Sequence, residues 1–320
     1  MSSITRRQLA LGALSALGAT VLSTLPATAA FAQQGRVLRI GHQKGLLSLL
    51  KGRGTLEQRL APLGVKVTWT EFTAGPVQLE ALNVGSIDFG DVGEAPPIFA
   101  QAAGAPLAYV AATPPRPASE AVLVPKDSAI KTVADLKGKK VAFNKGSNVH
   151  YFLVKLLEKH GLKYADVQPI FLPPADARAA FEKGSVDAWV IWDPFLAAAE
   201  HSLGARVLAD AKGVVNNRSY YFSSLPYARQ NPDVTKVLIE ELSKLDTWGS
   251  ANRDALAAEF APLWGLPKPA VDIAVQRSVY GTGPITKAIL QEQQAIADTF
   301  FDLKLIPKKI RLLDAAVGAL

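Results

Sequence analysis

The fold is decided by a stretch that reads Ala180-Phe181-Glu182-Lys183-Gly184-Ser185-Val186-Asp187-Ala188-Trp189-Val190-Ile191-Trp192-Asp193-Pro194. Gly184 lies where the left-handed C-terminal cap of a helix is expected. The segment from Val186 to Trp192 is short, apolar and rich in β-branched and aromatic residues, which is typical of a buried strand in a parallel sheet. The stretch therefore predicts the end of a helix, a core strand, and a loop that opens the next helix.

The same pattern, Ala-[Leu/Phe]-x-x-Gly-Ser-[Ile/Val]-Asp, occurs earlier in the chain, at residues 81–88. Upstream of each copy a strand runs into a Lys-Gly turn, at residues 38–45 in the first copy and 140–146 in the second. Each copy also has a second strand, which ends in Phe72 or Phe171, and then a helix opened by proline. Two α/β segments can resemble each other by chance, but a duplication explains this shared order of features better. We therefore predict two βαβ-rich lobes of the same design.

Residues 1–32 are typical of an export signal. They contain no acidic residue, Arg6 and Arg7 precede an apolar run from Leu9 to Leu25, and Ala30-Phe31-Ala32 fits an Ala-x-Ala cleavage site. The paired arginines leave two routes open, the twin-arginine route and the ordinary secretory route. No later run is long and apolar enough to span a bilayer. The sequence therefore predicts cleavage near Ala32 and a protein that is free in the periplasm.

The composition excludes several classes of protein. The chain has no cysteine, so an exported product would depend on its core rather than on disulfides, and its 320 residues allow a sufficient core. The formal net charge of +7 suits a small anion, but no basic run with interleaved aromatics indicates nucleic acid. The four histidines show no metal-ligand spacing. We expect neither a metal nor a cofactor.

Two segments are predicted to cross between the lobes. The first is Thr113-Pro114-Pro115-Arg116-Pro117, which can continue neither a strand nor a helix. The second is Val214–Tyr221, which should return the chain. Lobe one is thus predicted at residues 33–114 with 219–320, and lobe two at 115–218. The chain after the second crossing should be mostly helical, at Pro232–Trp248, Arg253–Leu263, Lys268–Val279 and Ile285–Leu305.

Several motifs carry a family resemblance. They are Arg39–Gly45, Ala74-Gly75-Pro76, Leu79–Asp88, Pro96–Gly104, Thr132–Gly138, Pro174–Phe181, Trp192-Asp193-Pro194 and Ile306–Lys309. With them the chain resembles the periplasmic solute-binding proteins of ABC importers, in the aliphatic sulfonate-binding group. The resemblance covers nearly the whole chain beyond the export signal. Taurine, nitrate and pyrimidine-precursor binders share much of this framework, so these ligands stay open as alternatives.

The resemblance implies a fold and a function. The fold would be α/β, that of a type II periplasmic binding protein, with two similar lobes, two hinge crossings and the ligand in the cleft between the lobes. The protein would capture an alkanesulfonate by hinge closure and deliver it to a membrane permease for sulfur acquisition. We expect a monomer. In one departure from similar proteins, Leu46 and Leu47 stand where a small hydroxyl residue is common, so backbone N–H groups or Gln43 would replace that hydroxyl.

The chemistry of a sulfonate predicts where the site lies. A sulfonate is ionised and has three acceptor oxygens, and helix N-termini supply free N–H donors to such anions. In open α/β sheets, ligands bind beyond the carboxyl ends of the strands. Turns at those ends should therefore face the cleft, together with Thr113 at the first crossing. The candidate ligand-binding residues in these turns are Gln43, Lys44, Gly45, Gly75, Pro76, Gly93, Glu94, Lys145, Gly146, Ser147, Asn148, Trp192 and Asp193.

Each candidate also has a purely structural alternative. Ser147 is a good N-cap for the helix that follows, and it could cap and bind at once. Lys44 and Lys145 could be solvated surface charges, and Trp192 could belong to the core rather than to a pocket wall. Glu94 and Asp193 would repel a bare sulfonate, so they should cap helices or orient donors, or meet an ammonium group if the ligand were taurine.

An enzyme is the competing class, because similar folds host catalysis. The chain has no cysteine nucleophile, and no Ser/His/Asp order stands out. We therefore expect a binding protein rather than an enzyme.

Overall fold

A computed structural model gives the structure of the protein and describes residues 35–315. The chain divides after Gln34 into two units, and the described residues all belong to the second. The predicted export signal, residues 1–32, lies outside the described residues.

The described strands form two mixed sheets of five strands each. The first sheet has the order β2-β1-β3-β10-β4 and the second has the order β7-β6-β8-β5-β9. The strands are β1 Arg36–His42, β2 Val65–Glu71, β3 Phe89–Gly93, β4 Leu107–Ala112, β5 Glu120–Val124, β6 Lys140–Phe143, β7 Gln168–Phe171, β8 Ala188–Trp192, β9 Arg206–Asp210 and β10 Ser219–Ser224.

The two sheets have the same design. In each, one strand, β1 or β6, lies between two parallel partners. One of these partners, β3 or β8, also pairs antiparallel with β10 or β5, each of which follows a crossing between the sheets. The prediction of two similar α/β lobes is confirmed.

The described helices cover both faces of each sheet. They are α1 Leu46–Arg53, α2 Thr55–Leu60, α3 Gly75–Asn83, α4 Pro96–Ala102, α5 Asn148–Lys159, α6 Pro174–Glu182, α7 Phe195–Leu203, α8 Leu225–Gln230, α9 Pro232–Ala251, α10 Arg253–Trp264, α11 Lys268–Arg277 and α12 Lys287–Asp302. Within residues 35–315, no helix combines the length and the hydropathy that crossing a membrane requires.

Alternate residues of one strand belong to different hydrophobic cores. Tyr221 packs in a core with α1, α2, α9, α10 and α11, whereas Tyr220 and Phe222 pack in a core with α3, α4 and α12. Val122 and Leu123 of lobe two are divided in the same way. Because successive strand residues point to opposite faces, each sheet is covered on both sides, as its apolar strands require.

The repeated motif ends a helix in both lobes. Gly85 and Gly184 adopt φ values of +72° and +68°, which favour glycine. The following N–H groups reach back to the helix, so that Ser86 N donates to Ala81 O at 2.8 Å and Ser185 N donates to Ala180 O at 2.9 Å. This six-residue closure satisfies carbonyls that the helix end would otherwise leave free.

The aspartate of the motif then ties the start of the next strand to β1 in lobe one or to β6 in lobe two. Asp88 Oδ2 accepts from Arg39 N at 2.9 Å, and Asp88 N donates to Arg39 O at 2.7 Å. Asp187 makes the same pair of contacts with Lys140, at 2.8 and 2.9 Å. The motif recurs because both lobes need the same closure at the same place.

We expect Asp88→Ala to lower the free energy of unfolding by about 2 kcal/mol, because it removes the acceptor of a backbone N–H and of the Arg39 guanidinium. Asp88 is only 4% exposed, so water replaces these bonds poorly. Asp187→Ala is the matched control, since its carboxylate contact with Lys140 N is exposed and it should cost about half as much. Urea unfolding measures both, and equal losses would contradict this account.

The crossings run side by side. The chain passes from β4 to β5 through residues 113–119 and returns from β9 to β10 through residues 211–218. Thr113 N donates to Ser219 O and Arg116 N donates to Asn216 O, both at 2.9 Å. The predicted lobe boundaries fall within these two segments and stay a prediction.

Several predicted bounds are wrong. The sequence predicts a strand at Ile87–Phe89 that leads into a turn at Gly90, whereas the structure has β3 at Phe89–Gly93, so Gly90–Gly93 continue the strand. The reason is packing, since a Cβ on Gly90 would lie 2.8 Å from the Phe222 ring and 2.9 Å from Gly41 O. The strand expected from Val186 begins at Ala188.

Two helices also differ from the sequence pattern. The pattern predicts a helix from Leu46 to Lys51 that Gly52 breaks, whereas α1 continues to Arg53. Helix α8 was not predicted.

Candidate ligand-binding site

A cavity of about 140 Å³ lies between the two sheets and is lined from both lobes. Most of the residues proposed from the sequence reach its wall. They are Gln43, Lys44, Gly45, Gly75, Gly93, Thr113, Ser147, Asn148, Trp192 and Asp193. We call this space the inner cavity.

Four proposed residues do not line the inner cavity: Pro76, Glu94, Lys145 and Gly146. Glu94 is 2% exposed, and its Oε2 accepts from Arg218 N at 3.2 Å. The Lys145 ammonium lies 5.3 Å from the centre of the Phe171 ring. Gly146 faces the Phe99 ring of the other lobe. The structure therefore gives Glu94, Lys145 and Gly146 contacts elsewhere.

The inner cavity lies at the N-termini of α1, α3 and α5. Gly45, Gly75 and Ser147, which stand at or beside these helix starts, all line it. The first N–H groups of a helix have no intrahelical partner and carry the positive end of the helix dipole. The two lobes thus supply free donors to one space. They approach closely here, since a Cβ on Gly93 would lie 3.0 Å from Asn148 Cβ.

Ser147 is the N-cap residue of α5, as predicted, and has the extended conformation of an N-cap. Its hydroxyl, however, accepts no hydrogen bond from the helix. Instead, Oγ donates to Asn144 O at 2.7 Å and closes the preceding turn. His150 N of the first turn donates to Ser147 O at 3.1 Å, and the N–H groups of Asn148 and Val149 before it have no side-chain cap.

Two charged residues of the wall have protein partners. The Lys44 ammonium donates to Trp264 O at 2.6 Å and lies 3.8 Å from the Glu71 carboxylate. The predicted capping role of Asp193 is confirmed, because Oδ1 accepts from Ala197 N in the first turn of α7, at 3.0 Å. Asp193 also lies 3.4 Å from Arg277 of α11. Burial raises the pKa of Asp193 to about 7, which Arg277 opposes.

Sequence reasoning missed a second cation of the inner cavity besides Lys44, namely Arg116. It lies in the first crossing, and its guanidinium donates to the Ser219 hydroxyl. Its Nε is buried, with no hydrogen-bond partner among the described residues. The one signal in the sequence was a cation between prolines in a segment predicted to link the lobes.

The C-terminal helices also contribute to the wall. Phe260 and Trp264 of α10 stack with ring centres 4.1 Å apart, and both line the inner cavity. Ser278 and Tyr280, which follow α11, line it as well. The sequence indicated these helices but not where they pack.

Carboxylates form the other charged part of the wall. Asp91 in β3 and Asp246 in α9 both line the inner cavity. The Thr282 hydroxyl donates to Asp246 Oδ2. Asp91 Oδ1 is buried and has no hydrogen-bond partner in the described part of the chain. Burial raises the pKa of Asp91 to about 6, against the opposing effect of Arg116.

A second cavity, of about 360 Å³, lies beside the first and shares Gln43, Lys44 and Trp192 with it. Its other lining residues are mostly apolar: Glu71, Phe72, Thr73, Pro173, Pro174, Ala175, Pro194 and Phe195. We call it the outer cavity. Trp192 stands edge-on to Phe195, with ring centres 6.2 Å apart, and so forms a wall of both cavities.

These features define a class of protein. Two α/β lobes of one design, joined by two adjacent crossings and enclosing a polar cavity at helix N-termini, make the fold of a type II periplasmic binding protein. Within residues 35–315, no group of three or more His, Asp or Glu side chains is placed to hold a metal ion.

The chain belongs to the NMT1/THI5-like family, whose model matches residues 62–244. An aliphatic sulfonates-binding protein of Escherichia coli is 46% identical over 276 residues, which cover 85% of this chain and 86% of the relative.

Two solved structures are similar throughout. The alkanesulfonate-binding protein SsuA from Xanthomonas axonopodis pv. citri, bound to MOPS, has 43% identity and a TM-score of 0.84, over 88% of this chain and 98% of that chain. The periplasmic aliphatic sulphonate binding protein SsuA from Escherichia coli has 44% identity and a TM-score of 0.81, over 89% of this chain and 93% of that chain.

Proposed function

We propose that the protein is the solute-binding component of an ABC importer and that it captures aliphatic sulfonates in the periplasm. The observation that carries the proposal is the meeting of three helix N-termini and Arg116 at one small cavity, next to an apolar one. Relatives above 40% identity that are named as sulfonate-binding proteins support the same ligand class.

The two cavities suit the two ends of such a ligand. The sulfonate group, with three acceptor oxygens and no donor, would lie in the inner cavity and accept from Arg116 and from the first N–H groups of α1 and α5. The carbon tail would extend past Trp192 into the outer cavity, where Phe72 and Phe195 offer apolar surface. Neither Leu46 nor Leu47 carries a hydroxyl, so lobe one would bind the anion through its backbone.

Capture would proceed by hinge bending at the two adjacent crossings, since both cavities have walls from both lobes. The closed protein would then present both lobes to a membrane permease, which imports the ligand as a sulfur source. The export signal predicted in residues 1–32 supports a periplasmic location, and a monomer would suffice for this role.

Calorimetric titration of the protein from residue 33 onward tests the ligand class. We expect binding of alkane-1-sulfonates from methane to octane, and weaker binding of inorganic sulfate and nitrate. Exclusive binding of nitrate or of a pyrimidine precursor would refute the proposal in favour of those alternatives. Taurine belongs in the same panel because it carries the sulfonate group with an added charge.

Trp192→Ala should lower the affinity for octane-1-sulfonate about tenfold and leave methanesulfonate within about threefold of the parent, because about 1.4 kcal/mol of apolar contact with the tail is lost. Trp248→Ala is the control, since Trp248 stacks with Arg53, at 3.8 Å, outside both cavities. Equal losses for both ligands in Trp192→Ala would place the tail elsewhere.

A further inference from the structure

Asp91 differs from the other carboxylates of the inner cavity in its lack of partners. Asp193 binds Ala197 N and Arg277, and Asp246 accepts from the Thr282 hydroxyl. Asp91 Oδ1 has no hydrogen-bond partner, and the carboxylate has no ion pair within 4.0 Å, among residues 35–315. This leaves its hydrogen-bonding capacity to a ligand.

The carboxylate also lies where the proposed anion would bind. A Cβ on Gly45, the residue that precedes α1, would lie 3.7 Å from Asp91 Oδ2. Strand β3 and the start of α1 therefore bring an acid next to the free N–H groups that a sulfonate would use. A bare sulfonate beside an ionised Asp91 would place two negative charges together in a space with little water. Their repulsion would lower the affinity for the ligand.

Two arrangements remove that conflict. A proton on Asp91 makes it neutral and turns it into a donor to a sulfonate oxygen. Alternatively, an ammonium group on the ligand pairs with the ionised carboxylate while the sulfonate binds Arg116. We propose that Asp91 selects ligands by charge type: a simple alkanesulfonate binds with uptake of one proton by Asp91, and a zwitterionic aminosulfonate binds the ionised form. The inference rests on the proposed function.

Other ionisable groups lie near Asp91, and the experiment must distinguish their titration from that of Asp91. The charged groups of the inner cavity are Lys44, Arg116, Asp193 and Asp246, and Tyr221 of β10 and Tyr280 after α11 also lie there. Asp193 and Asp246 are competing sources of a proton effect, because both line the same space and burial raises the pKa of both, that of Asp193 to about 7. The test therefore needs a variant of each acid, Asp91→Asn, Asp193→Asn and Asp246→Asn.

The experiment compares propane-1-sulfonate with taurine, which has nearly the same shape but ends in an ammonium group. Affinities are measured by calorimetry from pH 5.5 to 8. The measurement is repeated in buffers of different ionisation enthalpy, because the change in binding enthalpy between buffers gives the number of protons taken up. We expect the affinity of propane-1-sulfonate to fall about tenfold per pH unit above pH 6 with uptake of about one proton, and that of taurine to stay nearly constant.

Asp91→Asn should make the binding of propane-1-sulfonate independent of pH and tighter at pH 8, and should weaken taurine binding at least about tenfold. Asp193→Asn and Asp246→Asn change residues of the cavity wall, so their absolute affinities can shift, but each should keep the fall of about tenfold per pH unit for propane-1-sulfonate. A flat profile for propane-1-sulfonate in the wild type would overturn the inference without requiring any variant to fold. The inference would also be overturned if Asp91→Asn left the ratio of the two affinities unchanged, or if the pH effect were lost in Asp193→Asn or Asp246→Asn instead. If the wild type binds neither sulfonate at any pH, the proposed function fails as well.

Discussion

Arg116→Gln is expected to lower the affinity for butane-1-sulfonate about a hundredfold, because two charge-assisted hydrogen bonds of about 1.5 kcal/mol each would be lost. The guanidinium lies in a cavity with walls from both lobes, and its buried Nε has no partner among the described residues. Glutamine keeps a donor but lacks the charge and the planar fork that suits a sulfonate. Calorimetry on the folded variant measures the loss.

The control is Arg178→Gln, which removes the same charge from an exposed pair with Glu182 on α6. It should leave the affinity within about twofold, since exposed charges contribute little at physiological salt. Unfolding without ligand must be measured for both variants, because Arg116 also donates to Ser219 across the two crossings. If Arg116→Gln binds as tightly as the parent, the helix N-termini alone hold the anion.

The stability of the protein should fall as the pH rises from 6.5 to 8. Glu94 and Glu120 are 2% and 0% exposed and lie where the two crossings meet. The Oε1 atoms of both have no hydrogen-bond partner in the described part of the chain. Burial raises the pKa of both carboxyls far above the usual range, for Glu94 to about 8, and the nearby carboxyl of Glu94 raises the pKa of Glu120 further.

The sign follows from proton counts. The unfolded chain loses these protons near pH 4.5, whereas the folded chain keeps the proton of Glu94 up to about pH 8. Between these values the folded state binds more protons, so stability decreases by about 1.4 kcal/mol per pH unit for each retained proton. Asp193, with a pKa raised to about 7, acts in the same direction.

The buried histidines act in the opposite direction, but at lower pH. Burial lowers the pKa of His150 to about 4 and also lowers that of His42. The unfolded chain then binds more protons between pH 4 and 6.5, and stability rises with pH in that window. Above pH 6.5 this effect ends, and the carboxyls alone determine how the free energy of unfolding changes with pH.

Urea unfolding at pH 6.5, 7.2 and 8 measures the effect. Glu120→Gln should reduce the slope, because an amide cannot titrate but still accepts from Asn148 Nδ2, which donates to Glu120 Oε2 at 2.6 Å. Asp233→Asn is the control, because Arg36 pairs with this exposed carboxylate and lowers its pKa, so it does not titrate in this window. A stability that is constant or rises from pH 6.5 to 8 would show that the pair is not protonated in the folded protein.

Much of the fold could be predicted because its signals are local. The glycine stop at Gly184, the apolar strand that follows and the earlier copy at residues 81–88 all lie within short stretches, and their order predicted two lobes. The bounds of β3 were missed because its glycines serve close packing against Phe222 and Asn148, which looks like a turn signal when the neighbours are unknown.

Some features of the candidate site could likewise be predicted from the sequence, and others could not. The sequence alone determined which turns follow strands and precede helices, and hence that Gly45, Gly75 and Ser147 stand at helix starts, because these are relations between neighbouring residues. Only the tertiary structure decided that Arg116 and Asp91 share a cavity, that Lys44 binds the carbonyl of Trp264, and that Glu94 and Glu120 are buried together. The physical reason is that burial and charge pairing depend on residues far apart in the chain, and no local pattern records which distant partner satisfies a polar group.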